Sequence, residues 1–414
     1  MTIEINFKEL DADTSKEIRH FILEQTKIGV KFWSTQETYS FENGTVFKFK
    51  NNLFLRKRKE GKDGVRYELL SNKEKLGEGG YGEVRKIKRT LAIAENEIHS
   101  KKEGKNGQRR VVKIQDHSKR NTINVLYNEY ELTQRADQLH IKEPTLSDDS
   151  ENASSYTVMM LAPGKELFDI INEDTSKTKI LTTKQRLDLS IALLMAVKER
   201  LTSKNIIHRD LKPDNIFVKL DEPIKVTILD YGLAMDVNKL AEKTRGSACY
   251  LAPELLEDPL NASYKGDVFS IARIICLVWG TLNDTYNPTL FEDSSDAVAL
   301  STTQRLENLF DGINNIGFGL QSLICSTLQE MLETDPEFRC SIDEAIDLFS
   351  SFKIEEQKQN DSNVISLQNR IPSNENRNSF FKSRQDSSED FYESSEESIL
   401  SSNADESSDE LQFC

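Results

Sequence analysis

One eleven-residue string constrains this chain more than any other part of its 414 residues: Ile206-Ile207-His208-Arg209-Asp210-Leu211-Lys212-Pro213-Asp214-Asn215-Ile216. Its Asp, Lys and Asn stand at positions i, i+2 and i+5 of a loop that follows an apolar pair. In that order Asp210 can accept a hydroxyl proton, Lys212 can neutralise a phosphoryl group in transit, and Asn215 can ligate a divalent cation. Chance recurrence of the whole string is negligible.

Two further strings fit the same chemistry. Leu76-Gly77-Glu78-Gly79-Gly80-Tyr81-Gly82-Glu83-Val84 is glycine-rich. The spacing alone is ambiguous, because glycines mark ordinary turns and the dinucleotide fold uses the same pattern. Here the glycines lie between two strand-like runs, which favours a β-hairpin whose bare backbone covers phosphates, with Tyr81 at the tip. Val111-Val112-Lys113-Ile114 sets a lysine inside an apolar strand, which is costly unless the charge is paired. Glu129, 16 residues on in the stretch NEYELTQRA, is placed to hold that ammonium against a nucleotide's phosphates. Glu131 is the other candidate, on a different helix face.

With these strings the chain resembles a protein kinase of the eukaryotic type, and HRDLKPDN is the form of the serine/threonine branch. The resemblance spans about residues 70–350. It implies an α+β, bilobal fold: a small β-rich N-lobe over 70–161 and a larger helical C-lobe over 162–352. It also implies ATP and Mg²⁺ (or Mn²⁺) as cofactors. The catalytic residues would be Asp210, Lys212, Lys113 and Glu129. Nucleotide contacts would come from Gly77, Glu78, Gly79, Gly80, Tyr81, Gly82, Val84, Val111, Lys113, Met160, Ala162 and, more weakly matched, Glu166. Met159 falls at the gatekeeper position before the hinge. Asp230-Tyr231-Gly232 matches the DFG motif with Tyr for Phe, so Asp230 joins Asn215 as a metal ligand. Ala252-Pro253-Glu254 matches APE, and Arg339 matches the arginine that pairs with that glutamate. Asp267 matches the aspartate that braces the catalytic loop, and Gly246-Ser247 the Gly-Thr that lines the substrate groove.

The chain departs from the family pattern in several places. Val111 stands where most kinases carry Ala, giving a bulkier adenine roof. Glu95 to Gln108 reads as a polar surface insertion between two strands. Arg209 belongs to the class in which an activation-loop phosphate pairs with that arginine. The candidate acceptor is Thr244, because Lys243 occupies the place where many kinases carry the phosphorylated threonine. Ordering of the loop without a phosphate, or by a partner, is the alternative. Cys249 falls in the substrate groove, as a reactive thiol or as a packing residue.

The flanks are less specific. Residues 1–69 form an N-terminal extension, read as a helix plus a β-hairpin over Phe41 to Arg58 turning at Asn51-Asn52. Arg56 to Lys59 (RKRK) is a nuclear-localisation patch or a solvated strand end. Residues 353–414 read as a disordered tail, for residues 371–414 contain 12 Ser and 11 Asp/Glu, too little apolar surface to repay ordering. Residues 351–414 hold 6 Lys/Arg against 14 Asp/Glu, over half of the formal net charge of -15. Such a balance argues against nucleic acid as a partner. No apolar stretch approaches a membrane span, and five scattered cysteines without a CxxC pair argue against disulfides or zinc,.

The extension, NEYELTQRA and APGKELFDII resemble bacterial effector kinases of the Legionella type. The tail, with Glu393, Glu396 and Glu397 in a Ser-rich setting, is similar to C-terminal signals read by type IV secretion machinery. An ordinary acidic tail on a kinase is the alternative. The resemblance thus implies host proteins with Ser/Thr acceptors as substrates, a possible host activator, and action in the host cytoplasm. Two other readings stay open: a pseudokinase that binds nucleotide without transfer, and a scaffold acting through its flanks.

Overall fold

The chain begins with elements too short to stand alone. β1 (Ile3–Ile5) leads to α1 (Ala12–Lys27), β2 (Phe32–Trp33), β3 (Tyr39–Ser40), β4 (Val46–Phe49) and β5 (Leu53–Leu55). α1 starts where the Asp11 carboxylate accepts the Thr14 N–H at 2.8 Å, the usual remedy for an unpaired first-turn donor. Its Ile18 and Ile22 are buried in one apolar cluster with Phe47, Phe49, Trp33, Leu91 and Ile93. The computed structural model describes residues 2–56, 64–79, 82–102, 109–117, 123–147, 153–239, 246–280, 306–307, 309–313 and 316–360.

Next come β6 (Val65–Gly79), β7 (Gly82–Ile93), β8 (Ile98–Lys102), β9 (Arg110–Asp116), α2 (Ile123–Ala136), β10 (Thr145–Leu146) and β11 (Ser154–Met160). The main sheet runs β10-β11-β9-β7-β6-β5-β2, with β8 paired to β7. β5 and β2 therefore carry the sheet on into the N-terminal segment, through the pairings Leu53↔Leu69 and Phe32↔Phe54. Phe54 is fully buried and stacks on Tyr156 of β11 at 5.0 Å, and Phe32 stacks on the same ring at 5.3 Å. A charged cluster ties the same strands together. The fully buried Glu68 carboxylate accepts from Arg56 (2.7 Å), Arg110 (3.0 and 3.2 Å) and Thr90 (2.7 Å), which supplies the paired charge and hydrogen bonds that such burial demands.

Three local expectations are corrected. Val46–Phe49 and Leu53–Leu55 are not two arms of a hairpin, since β4 pairs with β1 and β3 in a separate sheet. The chain changes sheets at Asn51-Asn52, where Asn51 donates to the Leu70 carbonyl at 3.0 Å and Asn52 accepts from Thr35 N–H at 2.8 Å. These side chains hold the crossing in place of a turn. The insertion read over Glu95 to Gln108 is strand in part, because β8 forms a hairpin on β7 and Ile98 packs on the aromatic cluster. Arg56 is not a solvated strand end, being engaged by Glu68; Lys57 to Lys59 lie outside the described residues.

The remaining elements are β12 (Lys165–Glu166), α3 (Leu167–Thr175), α4 (Thr183–Arg200), β13 (Ile206–Ile207), β14 (Ile216–Lys219), β15 (Lys225–Ile228), β16 (Met235–Asp236), α5 (Pro253–Glu257), α6 (Tyr264–Val278), α7 (Phe318–Met331) and α8 (Ile342–Asn360). α4 opens with a reciprocal capping box between Thr182 and Gln185,. α6 is buried along nearly its whole length, the charged Asp267 and Arg273 included. Trp279 at its end donates its indole N–H to Ser190 of α4 at 3.1 Å. Among the described residues no helix is long and apolar enough to cross a membrane, and the four described cysteines are free thiols.

Candidate active site

The segment from Ile206 to Ile216 begins on a two-stranded ribbon. β13 pairs with β16 through Ile206↔Asp236 and Ile207↔Met235, and the chain then turns sharply, with Arg209 at φ 64°. A long side chain rarely adopts that conformation. Here Asp267 on α6 imposes it by accepting the His208 N–H at 2.8 Å and the Arg209 N–H at 3.1 Å. Burial pushes the Asp267 carboxyl up, opposed by His208 and by those two backbone donors,. The His208 Nε2–H donates to the Leu229 carbonyl at 3.0 Å, and its ring lies 5.1 Å from that of Tyr231.

Asp210 is oriented by its neighbours. Its Oδ1 accepts the Ser247 N–H at 2.8 Å and its Oδ2 accepts Asn215 Nδ2 at 3.0 Å. Asn215 also donates to the Asp210 carbonyl at 2.8 Å, so both bonds use its amide nitrogen and Oδ1 is the atom a cation would take. Lys212 Nζ donates to Ser247 Oγ at 3.1 Å and lies 3.8 Å from the Asp210 carboxylate. This close approach depends on Gly246: a Cβ there would stand 2.1 Å from the Arg209 carbonyl oxygen and 3.0 Å from Asp210 Oδ1.

Lys113 meets two carboxylates. Its ammonium donates to Glu129 Oε1 at 2.6 Å and to Asp230 Oδ1 at 3.3 Å. Burial pulls the amine's pKa down, but Glu129 and then Asp230 reverse this and hold it above its ordinary value. For Asp230, burial raises the carboxyl and Lys113 overrides it, leaving the group below the usual range,. Glu131 points elsewhere, accepting from Arg135 at 2.9 Å. Of the two candidate partners, Glu129 is the one the structure brings to Lys113.

The glycine-rich string joins two antiparallel strands, not a strand and a helix, with Gly77↔Val84, Glu78↔Glu83 and Gly79↔Gly82 in register. Gly80 and Tyr81 lie outside the described residues. Gly82 has φ 140°, and a Cβ on it would meet the Ile114 carbonyl oxygen at 2.0 Å. Only glycine lets β7 run so close to the strand that carries Lys113. Val84 faces Lys113 across the ladder, and Val111 faces Met159. At the end of β11, the Met160 N–H bonds to the Leu139 carbonyl (2.7 Å) and the Leu161 N–H to that of Arg109 (2.8 Å). The Ala162 N–H has no backbone acceptor among the described residues. Glu166 precedes α3, and burial followed by Asp214 and Asp169 pushes its carboxyl up.

Further along the chain, Arg339 forks onto Glu254 at 2.7 and 2.9 Å, both side chains buried, with Phe269 under the guanidinium at 5.0 Å. Cys249 is buried, which fits packing better than a reactive thiol. Thr244 lies outside the described residues. Reading the sequence did not find Asn128, Arg135 and Asp236, which link α2 to residues 234–236. No string marks them, since each contact joins residues about a hundred positions apart.

A family model described as "Protein kinase domain" matches residues 70–348. Similar curated proteins include serine/threonine-protein kinases of Drosophila yakuba and Drosophila melanogaster, each 31% identical over 223 residues, or 50% of this chain and 26% of the relative. Calcium-dependent protein kinase 5 of Plasmodium berghei is 32% identical over 268 residues, 63% of this chain and 42% of that protein. The chain thus spans about a quarter to two fifths of these relatives' length.

Proposed function

The chain belongs to the protein kinase family, and from that premise we propose that it is a serine/threonine protein kinase, transferring the γ-phosphoryl group of ATP to Ser or Thr hydroxyls of proteins. The observations that carry the reading are the Lys113 ammonium held between Glu129 and Asp230 and an Asp210 carboxylate oriented by Ser247 and Asn215. We read β6 to β11 with α2 as the N-lobe and the elements from β12 onward as the C-lobe.

Each residue then has a defined task. The hairpin from Gly77 to Gly82 covers the phosphates, and the backbone of Met160 and Ala162 meets the adenine, with Val84 and Val111 as its roof and Glu166 near the ribose. Lys113 orients the phosphates. Asp210 aligns the acceptor hydroxyl and takes its proton, and Lys212 offsets charge on the phosphoryl as it moves, steadied by Ser247. Asn215 Oδ1 and the ionised Asp230 are hard oxygen donors suited to Mg²⁺ or Mn²⁺. When bound, such an ion neutralises charge on the phosphates. Catalysis of this kind is positioning and electrostatics.

We further propose that the kinase is a bacterial effector delivered into a host cytoplasm and acting on host proteins. Its support is the resemblance of the extension, of NEYELTQRA and APGKELFDII, and of the acidic Ser-rich tail. Deleting residues 380–414 should abolish delivery; undiminished delivery would remove this part of the reading. The kinase reading is tested by phosphate transfer from ATP with Mg²⁺, comparing wild type with Asp210→Asn. Incorporation lost in the variant supports it. Nucleotide binding without transfer by wild type, under any acceptor tried, would favour a pseudokinase or scaffold.

A further inference from the structure

We propose that Arg135 and Asp236 are a positioning pair that holds α2, and with it Glu129, in register with the segments carrying Asp210 and Asp230; this rests on the role given to Lys113 and Glu129 above. Arg135 Nη1 donates to Asp236 Oδ2 at 2.5 Å, and Nη2 to Glu131 Oε1 at 2.9 Å. One guanidinium therefore grips its own helix and the facing strand together. The Asp236 carboxylate is largely buried, 12% exposed. Its other oxygen accepts the Asn238 N–H at 2.8 Å and Nδ2 at 3.0 Å, so it is fixed before Arg135 reaches it.

The placement of Asp236 gives the contact its consequence. It stands opposite Ile206 on the ribbon that runs directly into His208, Arg209 and Asp210. Five residues upstream of Met235, the same segment begins at Asp230. Two more side chains grip the stretch between: Asn128 donates to the Ala234 carbonyl at 3.2 Å, and Arg209 Nε donates to that of Leu233 at 2.7 Å. Asn128 and Arg135 bracket Glu129 on α2. The helix is thus anchored on either side of the glutamate that meets Lys113, and the anchor is a carboxylate the chain itself encodes. This grip needs no added phosphate.

The test uses the full chain, with steady-state transfer from ATP to dephosphorylated casein and amide hydrogen exchange of α2. Arg135→Ala and Asp236→Asn should each lower kcat about tenfold, the scale of an energetic coupling between packed elements. KM for ATP should change less than about threefold. The double variant should be no worse than the poorer single one, Arg135→Lys should recover part of the loss, and amides of residues 129–135 should exchange faster in both single variants. Unchanged kcat with unchanged α2 exchange would overturn the proposal, as would losses that simply add. Exchange also separates this proposal from the one beneath it. Faster α2 exchange in a protein that transfers no phosphate upholds the pair and sinks the kinase reading. Unaltered exchange in an active enzyme does the reverse.

Discussion

Replacing Phe54 by Ala tests whether the N-terminal segment is part of the sheet that carries Lys113 or an ornament on it. Phe54 is fully buried on β5 among Leu70, Ile87, Val112, Tyr156 and Val158, and stacks on Tyr156 at 5.0 Å. Truncating a buried Phe to Ala costs about 3–5 kcal/mol, of which about 0.5–1.5 kcal/mol belongs to the aromatic pair. At about 2–4 °C per kcal/mol for a domain of this size, the melting temperature should fall by roughly 6–20 °C. Val112 adjoins Lys113, and Tyr156 pairs with Ile114, so phosphate transfer should fall at temperatures well below the new midpoint. Ile28→Ala is the control: Ile28 is 74% exposed, and its loss should stay within about 0.5 kcal/mol. A Phe54→Ala protein that melts within a degree or two of wild type would refute the argument, because the ring would then contribute nothing to the sheet.

Three other outcomes are expected. The buried Tyr231 hydroxyl has no hydrogen-bond partner among the described residues, so Tyr231→Phe should stabilise the protein by about 1–3 kcal/mol in denaturant unfolding; destabilisation would show that the hydroxyl is paired. Glu68→Ala leaves Arg56 and Arg110 facing an empty site and should cost about 3–5 kcal/mol, read as a lower denaturant midpoint, and no shift would mean the cluster is solvated. Asp230 titrates below its ordinary 3.8 because of Lys113, so its folded pKa is depressed. Its contribution to stability is complete above the unfolded pKa and disappears as pH falls through the native one. The stability gap between wild type and Asp230→Asn should be flat above about pH 5 and close in acid; a gap that widens in acid would contradict the sign.

How much of this could be read in advance depended on how far apart in the chain the interacting groups lie. Asp210, Lys212 and Asn215 fall within six residues, because one loop must present them all, so their chemistry showed in the sequence. Lys113 and Glu129 were legible for another reason: a strand lysine needs a partner, and the next helix offered two. The hairpin read over Phe41 to Arg58 failed because alternation identifies strands but not the strand each will pair with. Asn51 and Asn52 looked like turn residues and instead bond across to Leu70 and Thr35. Phe32 and Phe54 read as ordinary apolar residues, since nothing local announces that both will close on Tyr156, about a hundred residues away. Arg135 and Asp236 were hidden in the same way.

The aromatic cluster under α1 draws every fully buried member from residues 5 to 93. Every one of those residues precedes Lys113 in the chain, and Asp210 by more than a hundred positions. Its pairings are short-range, such as Trp33 with Leu53 and Leu53 with Leu69, and contacts of low sequence separation close fastest. On that ground the first ninety or so residues should pair first and leave one edge of β7 open for β9 and its lysine,. A released fragment of residues 1–102 should already protect the β5–β6 amides from exchange, and a fragment that exchanges like an unfolded chain would show that the later strands are needed first.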